Sequence, residues 1–434
     1  MMVSANSSVE RSLKKAVDWW LVAAYLILIL VGWMNIYSSI HTPDTVSAFD
    51  WASRSGKQTV WILTALTLAS LILFVVKPKM WEMISIPAYA VVLFLLVAVI
   101  FMGAEVKGSR SWFQFGAISF QPAEISKITT SLLLSAMMSK AGFKMSNLKE
   151  FLTVVAIIAI PMLVIVAESE TGSALVYVGF AFVLYTQGMT GWILAFFGLT
   201  ILLFILTLIA SPYVAIIVLF LIVLLYYILS IRGTRRRSLV RRNNRLISLA
   251  AFAAGLMLIF STNFVFNNVL QDHQRKRIEV LLGLKEDPSG VGYNVRQSMI
   301  AIGSGGLFGK GYLNGTQTTY GFVPEQSTDF IFCTVGEEWG FLGCLGVIFL
   351  YVFLIYRIVR DAQDCREKFT QIYGYCVASI FFMHLFINIG MTIGLMPVIG
   401  IPLPMVSYGG SSLWSFTIML FIFIALYRQE KKYF

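Results

Sequence analysis

The segments LLGLKEDPSGVGYN (281–294), AIGSGGLFGKGYLNGTQ (301–317) and GFVPEQSTDFIF (321–332) mark a polar stretch that runs from residue 263 to residue 328. On both sides of this stretch the chain consists almost entirely of apolar segments. A loop longer than about 15 residues in a compact protein is usually functional or disordered, and this one is too rich in Tyr, Phe, Ile and Leu for disorder. The chemistry of the protein is therefore predicted to reside here.

The apolar segments indicate a polytopic membrane protein. Of the 434 residues, 58% are hydrophobic and 13% are charged, whereas about a quarter of the residues of a soluble domain are charged. A membrane-spanning helix needs roughly 17 to 25 apolar residues. The predicted fold class is an all-α polytopic transmembrane helical bundle, a single integral membrane domain over residues 1–434. Twelve spans are predicted, at residues 19–38, 59–76, 83–102, 122–138, 151–167, 173–189, 192–210, 212–230, 246–262, 329–356, 370–396 and 412–427.

The distribution of lysine and arginine predicts the orientation of the chain, because short basic loops stay on the cytoplasmic side. With the N-terminus inside, 22 of the 33 basic residues fall in inner segments. Both termini are then cytoplasmic, and the polar stretch 263–328 is extracytoplasmic, in a protein of the cytoplasmic (inner) membrane. The net charge of +11 is mainly a topology signal, so the arginine-rich loop at residues 232–242 is interpreted as an inner hairpin loop and no nucleic-acid partner is expected.

Ionisable side chains inside predicted spans are candidate functional residues because burying them in a bilayer is costly. Glu124 and Lys127 lie at positions i and i+3 of the fourth span, where they are predicted to pair on one helical face. They are read either as part of a substrate-facing cavity or as a structural ion pair. Glu337 and Glu338 are candidates in the tenth span, whereas His384 is interpreted as a core histidine without a catalytic role.

Two features of the polar stretch allow more than one interpretation. The run GSGGLFGKG (303–311) resembles a phosphate-binding loop, but its spacing does not fit the GxxxxGK[ST] pattern. Its glycines are therefore predicted to allow close backbone packing or positive φ angles. Asp287, which precedes Pro288, is either a turn aspartate or a catalytic carboxylate. No histidine has companions at the spacing of a zinc site.

Three stretches carry a family resemblance: KGSRSWFQFGAISFQPAEISK (107–127), residues 286–332, and GLMPVIGIPLPMVSYGGSS (394–412). The sequence resembles the SEDS family (shape, elongation, division and sporulation proteins), and its elongation members more than its division members. The resemblance implies a peptidoglycan glycosyltransferase that polymerises lipid II on the outer face of the membrane. It also implies a class B penicillin-binding protein and other membrane proteins of the elongation complex as partners.

The resemblance implies particular site residues. Asp287 matches the essential loop aspartate of the family and is the predicted catalytic residue. The predicted substrate-binding residues are Arg110, Trp112, Glu124, Lys127, Arg275 and Arg277. A divalent cation, Mg²⁺ or Mn²⁺, is the expected cofactor; which residues hold it is left open.

The sequence departs from the family pattern at several positions. Ser111 stands where the family has an arginine next to the tryptophan, and Arg110 comes one residue earlier. Glu170 replaces an aspartate, and Ala123 replaces a serine. The family usually has ten spans, so residues 211–262 are interpreted as an inserted two-span hairpin at the periphery, which modulates partners and not chemistry.

The expected reaction joins a sugar hydroxyl of one lipid-linked disaccharide to the anomeric carbon of another and expels polyprenyl pyrophosphate. Asp287 is expected to accept the hydroxyl proton, or to hold the cation or water that does so. Lys127, Arg110, Arg275 and Arg277 are candidates to stabilise the charge of the leaving group. A lipid II flippase and a non-catalytic scaffold are alternative functions, since intramembrane charges are equally expected in a transporter.

Overall fold

The computed structural model describes residues 17–41, 47–106, 109–116, 118–232, 238–264, 266, 268, 270, 272–282, 284 and 291–432. The chain is almost entirely helical in these residues, as predicted. Asp287, residues 233–237 of the arginine-rich loop and the basic residues before position 17 lie outside them. The longer helices are α1 (Trp19–Ile40), α2 (Arg54–Phe74), α3 (Lys79–Met102), α4 (Pro122–Met138), α5 (Leu148–Ala167), α8 (Gly191–Ile209), α9 (Pro212–Arg232), α10 (Ser238–Phe264), α14 (Ile331–Gln363), α15 (Lys368–Thr392) and α16 (Gly410–Lys432).

Ten helices in the described part of the chain are long and apolar enough to cross a membrane. They account for ten of the twelve predicted spans. The remaining two predicted spans are also helical but shorter. One is α4, with 17 residues, and the other is the run Thr171–Thr186, which comprises α6 (Thr171–Val176), a 3₁₀ turn and α7 (Phe180–Thr186). Helix α4 is less apolar because it carries a Glu, a Lys and several Ser and Thr residues, almost all of them buried.

Two regions contain secondary structure that the sequence analysis did not predict. Strands β1 (Ala104–Val106), β2 (Ser109–Phe115) and β3 (Ile118–Phe120) form a small antiparallel sheet between α3 and α4. The polar stretch contains the helices α11 (Asp272–Leu281), α12 (Val291–Ser304) and α13 (Thr316–Thr319).

The chain divides into two compact units. One contains residues 1–188 and 294–434, and the other contains residues 189–293. In the second unit, α9 and α10 pack against each other and against α8 around the buried side chains of Leu203, Leu219 and Ile259. The predicted hairpin is thus present as a pair of helices, and its role stays a prediction.

In the larger unit the last helix closes the bundle against the first two. Helix α16 packs along α2, and Trp414 donates its indole N–H to Thr64 at 2.9 Å. The hydroxyls of Tyr25 on α1 and Thr417 on α16 lie 2.9 Å apart in the core. Arg428 donates to the Leu73 carbonyl, which is near the end of α2, at 2.7 Å.

Residues 393–409, between α15 and α16, are not helical, as the prolines and glycines of this segment predict. The segment is nevertheless buried through Ile401, Leu403, Met405 and Val406. Side chains of the neighbouring helices satisfy its backbone, which a membrane interior requires. Asn388 donates to the Ile401 carbonyl at 2.7 Å, and Tyr351 donates to the Pro404 carbonyl.

Candidate active site

The predicted pair of Glu124 and Lys127 is present at the start of α4. The ammonium of Lys127 donates to Glu124 Oε1 at 2.7 Å, and the two side chains are only 1% and 4% exposed. Helix α4 starts with Pro122 in its first turn, where the missing N–H costs nothing. Because one helical turn separates residues 124 and 127, the two side chains meet on one face.

His384 completes this cluster, from a position 257 residues further along the chain. Its Nε2 atom lies 2.9 Å from the Nζ atom of Lys127, and its Nδ1 atom lies 3.1 Å from the Pro402 carbonyl oxygen. The ring of Phe416 covers both groups, at 5.4 Å from the ammonium and 4.7 Å from the imidazole. No catalytic role was predicted for His384, because nothing local in the sequence places it beside Lys127.

The pair is sealed in the packed interior. Glu124 Oε2 is buried and has no hydrogen-bond partner among the residues that the structure describes. On the same helix, Ser126 shares a hydrogen bond of 2.7 Å with the hydroxyl of the buried Tyr177. Since so little of either charged side chain is exposed, the electrostatic field of Lys127 is weakly screened by water.

Arg110 and Trp112 lie together on strand β2. Trp112 is half-buried and pairs with Ala104 of β1. The Arg110 side chain is 58% exposed and contacts Glu105 at 3.4 Å. Ser111, which occupies the position of the family arginine, points to a different neighbour: its hydroxyl donates to Glu170 Oε1 at 2.7 Å. The guanidinium of Arg110 is therefore on the accessible side of the sheet, as a group that meets a ligand must be.

Arg275 and Arg277 lie on α11, in the unit of residues 189–293. Arg275 contacts Asp272 at 3.2 Å and Glu279 at 3.9 Å. Arg277 is half-buried and also interacts with a neighbouring group. Both arginines stay predicted substrate-binding residues. Asp287 is outside the described residues, so its predicted catalytic role also stays a prediction.

Glu337 binds backbone rather than standing free in the span. Its carboxylate accepts the backbone N–H groups of Thr316, Gln317 and Thr318 at 2.8 to 2.9 Å, and Lys310 donates to it at 2.6 Å. It therefore neutralises the N-terminal end of α13 and ties the polar stretch to α14. The neighbouring Glu338 accepts a hydrogen bond from Ser38 of α1.

The glycine-rich run 303–311 packs against a break in α14. Helix α14 is interrupted at Gly340, which has φ 66° and ψ −161°. The N–H groups of Phe341 and Leu342 donate to the carbonyls of Gly306 and Leu307, and the N–H of Lys310 donates to the Glu337 carbonyl at 3.0 Å. We call these contacts the backbone clasp. The predicted role of the glycines, close backbone packing or positive φ, is confirmed at Gly305, Gly306, Gly309 and Gly311 and not at Gly303.

Glu168 is a second buried carboxyl group, directly after the end of α5. The residue is 2% exposed, and within the described part of the chain neither carboxyl oxygen has a hydrogen-bond partner. Burial, followed by repulsion from Glu170, raises the pKa of Glu168 from 4.5 to about 8. The group is therefore largely protonated at neutral pH, and its uncharged form avoids most of the desolvation penalty.

No group of three or more His, Cys, Asp and Glu side chains that could hold a metal ion is found among the residues described by the structure. The expected divalent cation, Mg²⁺ or Mn²⁺, stays a prediction.

Comparison with known families accounts for nearly the whole chain. The family model of FtsW, RodA and SpoVE, described as cell cycle proteins, matches residues 18–221 and 243–432. The chain belongs to the FtsW/RodA/SpoVE family. The residues between the two matched parts, 222–242, fall within the hairpin that the sequence analysis interpreted as an insertion.

Individual relatives of this FtsW/RodA/SpoVE protein are similar over most of their length. The peptidoglycan glycosyltransferase MrdB of Escherichia coli K12 is 33% identical over 339 residues, which cover 78% of this chain and 76% of MrdB. The peptidoglycan glycosyltransferase RodA of Treponema pallidum is 29% identical, over 92% of this chain and 94% of that protein.

A solved structure has the same fold. It is a chain from a study of the structural coordination of polymerization and crosslinking by a peptidoglycan synthase complex, with a TM-score of 0.68 and 23% sequence identity. The match covers 95% of this chain and 98% of that one. The polytopic helical fold expected for a family member is thereby confirmed.

Proposed function

We propose that this protein is a peptidoglycan glycosyltransferase that polymerises lipid II into glycan strands during cell elongation and the maintenance of cell shape. The observation that carries the proposal is membership of the FtsW/RodA/SpoVE family over nearly the whole chain, together with curated relatives that are named peptidoglycan glycosyltransferases. A reaction with a pyrophosphate leaving group needs a positive charge in a fixed position. The buried Lys127 ammonium, paired with Glu124, is the proposed source of that charge.

The active surface faces away from the cytoplasm. The basic residues of the short loops support an orientation with both termini inside. In that orientation the sheet of residues 104–120 and the stretch 263–328 lie on the outer side. The head group of a lipid-linked sugar then meets the polar residues, while its polyprenyl tail stays among the apolar helices.

The proposed reaction needs a base and several positively charged side chains. Asp287 accepts the proton of the attacking sugar hydroxyl, which forms the new glycosidic bond as the bond from the anomeric carbon to the pyrophosphate oxygen breaks. Arg110, Arg275 and Arg277 are the proposed ligands of the pyrophosphate oxygens, and Trp112 the proposed packing partner of the substrate. Lys127 would add a weakly screened positive charge, and Glu124 holds it in place.

A divalent cation, Mg²⁺ or Mn²⁺, is proposed as the cofactor, and Asp287 would hold it as the alternative to accepting the proton directly. Its chemistry there is to offset the negative charge of the leaving group. We propose a class B penicillin-binding protein as the partner, in line with the coordination of polymerization and crosslinking named for the similar complex.

The test is reconstitution of the purified protein with its penicillin-binding partner and lipid II. We expect glycan strands from the wild-type protein, and no strands when Asp287→Ala is used or when EDTA removes divalent cations. The variant should still insert and elute as a monodisperse complex. Near-normal polymerisation by Asp287→Ala would refute the catalytic assignment, and lipid II translocation without any polymer would favour a transporter.

A further inference from the structure

The cluster around Lys127 contains a residue for which the proposed mechanism has no role. His384 lies on α15 and is 1% exposed. One of its ring nitrogens faces the Lys127 ammonium at 2.9 Å, and the other faces a backbone carbonyl, that of Pro402, at 3.1 Å. Both ring nitrogens are thus engaged in one buried chain of contacts that starts at Glu124 and ends in the non-helical segment 393–409.

These contacts determine where the imidazole proton lies. A carbonyl oxygen can only accept, so Nδ1 must carry the hydrogen and donate it to Pro402. In the neutral ring Nε2 then has a lone pair and accepts an N–H from Lys127. An alkyl amine is a much stronger base than an imidazole, and Glu124 stabilises the ammonium further, so the shared proton stays on Lys127.

The lone pair of His384 matters because Lys127 is deprived of water. An ammonium has three N–H donors and no acceptor, and its burial is tolerated only when those donors are satisfied. Glu124 Oε1 takes one N–H at 2.7 Å and His384 Nε2 takes another. Without the imidazole, a second of the three N–H donors would lack an acceptor among the described residues and would face the hydrocarbon of Phe416 and the neighbouring helices.

We infer that His384 is a positioning residue that holds the Lys127 ammonium through the lone pair of its Nε2 atom, in the tautomer that the Pro402 carbonyl selects. The effect of His384 on catalysis rests on the proposed function, because His384 acts only by keeping the charge of Lys127 in place. His384 does not touch substrate itself. One helical turn later, Asn388 binds the Ile401 carbonyl, so α15 fixes the segment and the lysine with two side chains on one face.

Two substitutions of His384 separate positioning from packing. His384→Gln retains both a donor and an acceptor, and we expect its kcat for polymerisation to stay within about three-fold of wild type. His384→Leu fills similar space without an acceptor. Because a hydrogen bond to a buried charge is lost, kcat should fall about ten- to hundred-fold, with a smaller change in KM. Phe386→Leu, at a side chain on α15 that is 54% exposed, is the control and should retain full activity.

A spectroscopic measurement tests the tautomer without reference to activity. The protein has three histidines, so replacing His41 and His273 with glutamine leaves His384 as the only one. Solid-state nitrogen-15 NMR of this variant should show a protonated Nδ1 and an unprotonated Nε2. In Lys127→Met the Nε2 signal should shift, because its hydrogen-bond donor is lost.

The outcomes are distinct. A protonated Nε2, an imidazolium, or equal losses of kcat in the glutamine and leucine variants would overturn the inference. If the wild-type protein makes no glycan strands, the proposed function fails while the NMR result still decides the role of His384. Wild-type activity in His384→Leu would show that Lys127 does not need the imidazole.

Discussion

At the scale of single residues, Glu168 and Lys127 show two ways in which a buried ionisable group is accommodated. Lys127 has charged and polar partners in Glu124 and His384. Glu168 has none among the described residues, and its raised pKa shows that it is held in the uncharged form. The first arrangement preserves a charge for chemistry, and the second removes one from the interior.

Glu168 therefore predicts a pH dependence of stability. Its pKa is about 8 in the folded protein against 4.5 when exposed, so the folded state binds the proton more tightly. The stabilisation from this group is fully present below pH 4.5 and is lost as the pH rises towards about 8. Glu168→Gln should remove this dependence and raise the apparent Tm at pH 8 to 9, by about 1 °C for each kcal/mol gained in a chain of 434 residues.

Thermal unfolding of the two proteins in detergent across pH 5 to 9 is the measurement. Glu170→Gln is a useful second variant, because repulsion from Glu170 contributes to the raised pKa of Glu168. This substitution should weaken the pH dependence without abolishing it. Parallel pH profiles for the wild type and Glu168→Gln would contradict the assignment.

At the scale of elements, the backbone clasp predicts a sharp difference between two glycines. A Cβ at Gly309 would lie 2.1 Å from the Glu338 carbonyl oxygen, and the residue has φ +81°. Gly309→Ala should therefore destabilise the protein by about 2–5 kcal/mol, from backbone strain and overpacking. Gly303, exposed near the end of α12, has no atom within 4 Å of such a Cβ, and Gly303→Ala should be neutral or stabilising by up to about 1 kcal/mol.

Apparent Tm values and expression levels of the two alanine variants compare them directly. Equal stability of both would show that the clasp is not tight in solution.

Local interactions were predictable from the sequence, whereas distant ones were not. The pairing of Glu124 with Lys127 and the role of the glycines at 303–311 follow from helical spacing and backbone sterics within a few residues. The contact of Lys127 with His384 and the binding of Glu337 to α13 depend on how separate segments pack, and no local pattern encodes them. The sheet at 104–120 was missed because its outer strands have only three residues each.

At the scale of the whole molecule, the proposed orientation can be tested with two engineered cysteines. Ser119, on β3, is exposed and is predicted to lie outside; Ser146, between α4 and α5, is exposed and is predicted to lie inside. The native cysteines are all buried, so they give little background. In intact cells a membrane-impermeant maleimide should label Ser119→Cys and not Ser146→Cys.

Permeabilised cells provide the control, since both variants should then react. Labelling of Ser146→Cys alone in intact cells would invert the topology and place the sheet of residues 104–120 on the cytoplasmic side, away from the proposed substrate.

The packing of the last helix on the first two has a consequence for biogenesis. Tyr25 on α1, and Thr64 and the Leu73 carbonyl on α2, find their α16 partners only when residues 410–432 have left the ribosome. Until then, these polar groups of the first two helices are exposed to lipid or to the insertion machinery. A stop codon shortly before residue 410 should thus yield a fragment that membrane quality-control proteases degrade, even though every residue of the proposed active site has already been translated.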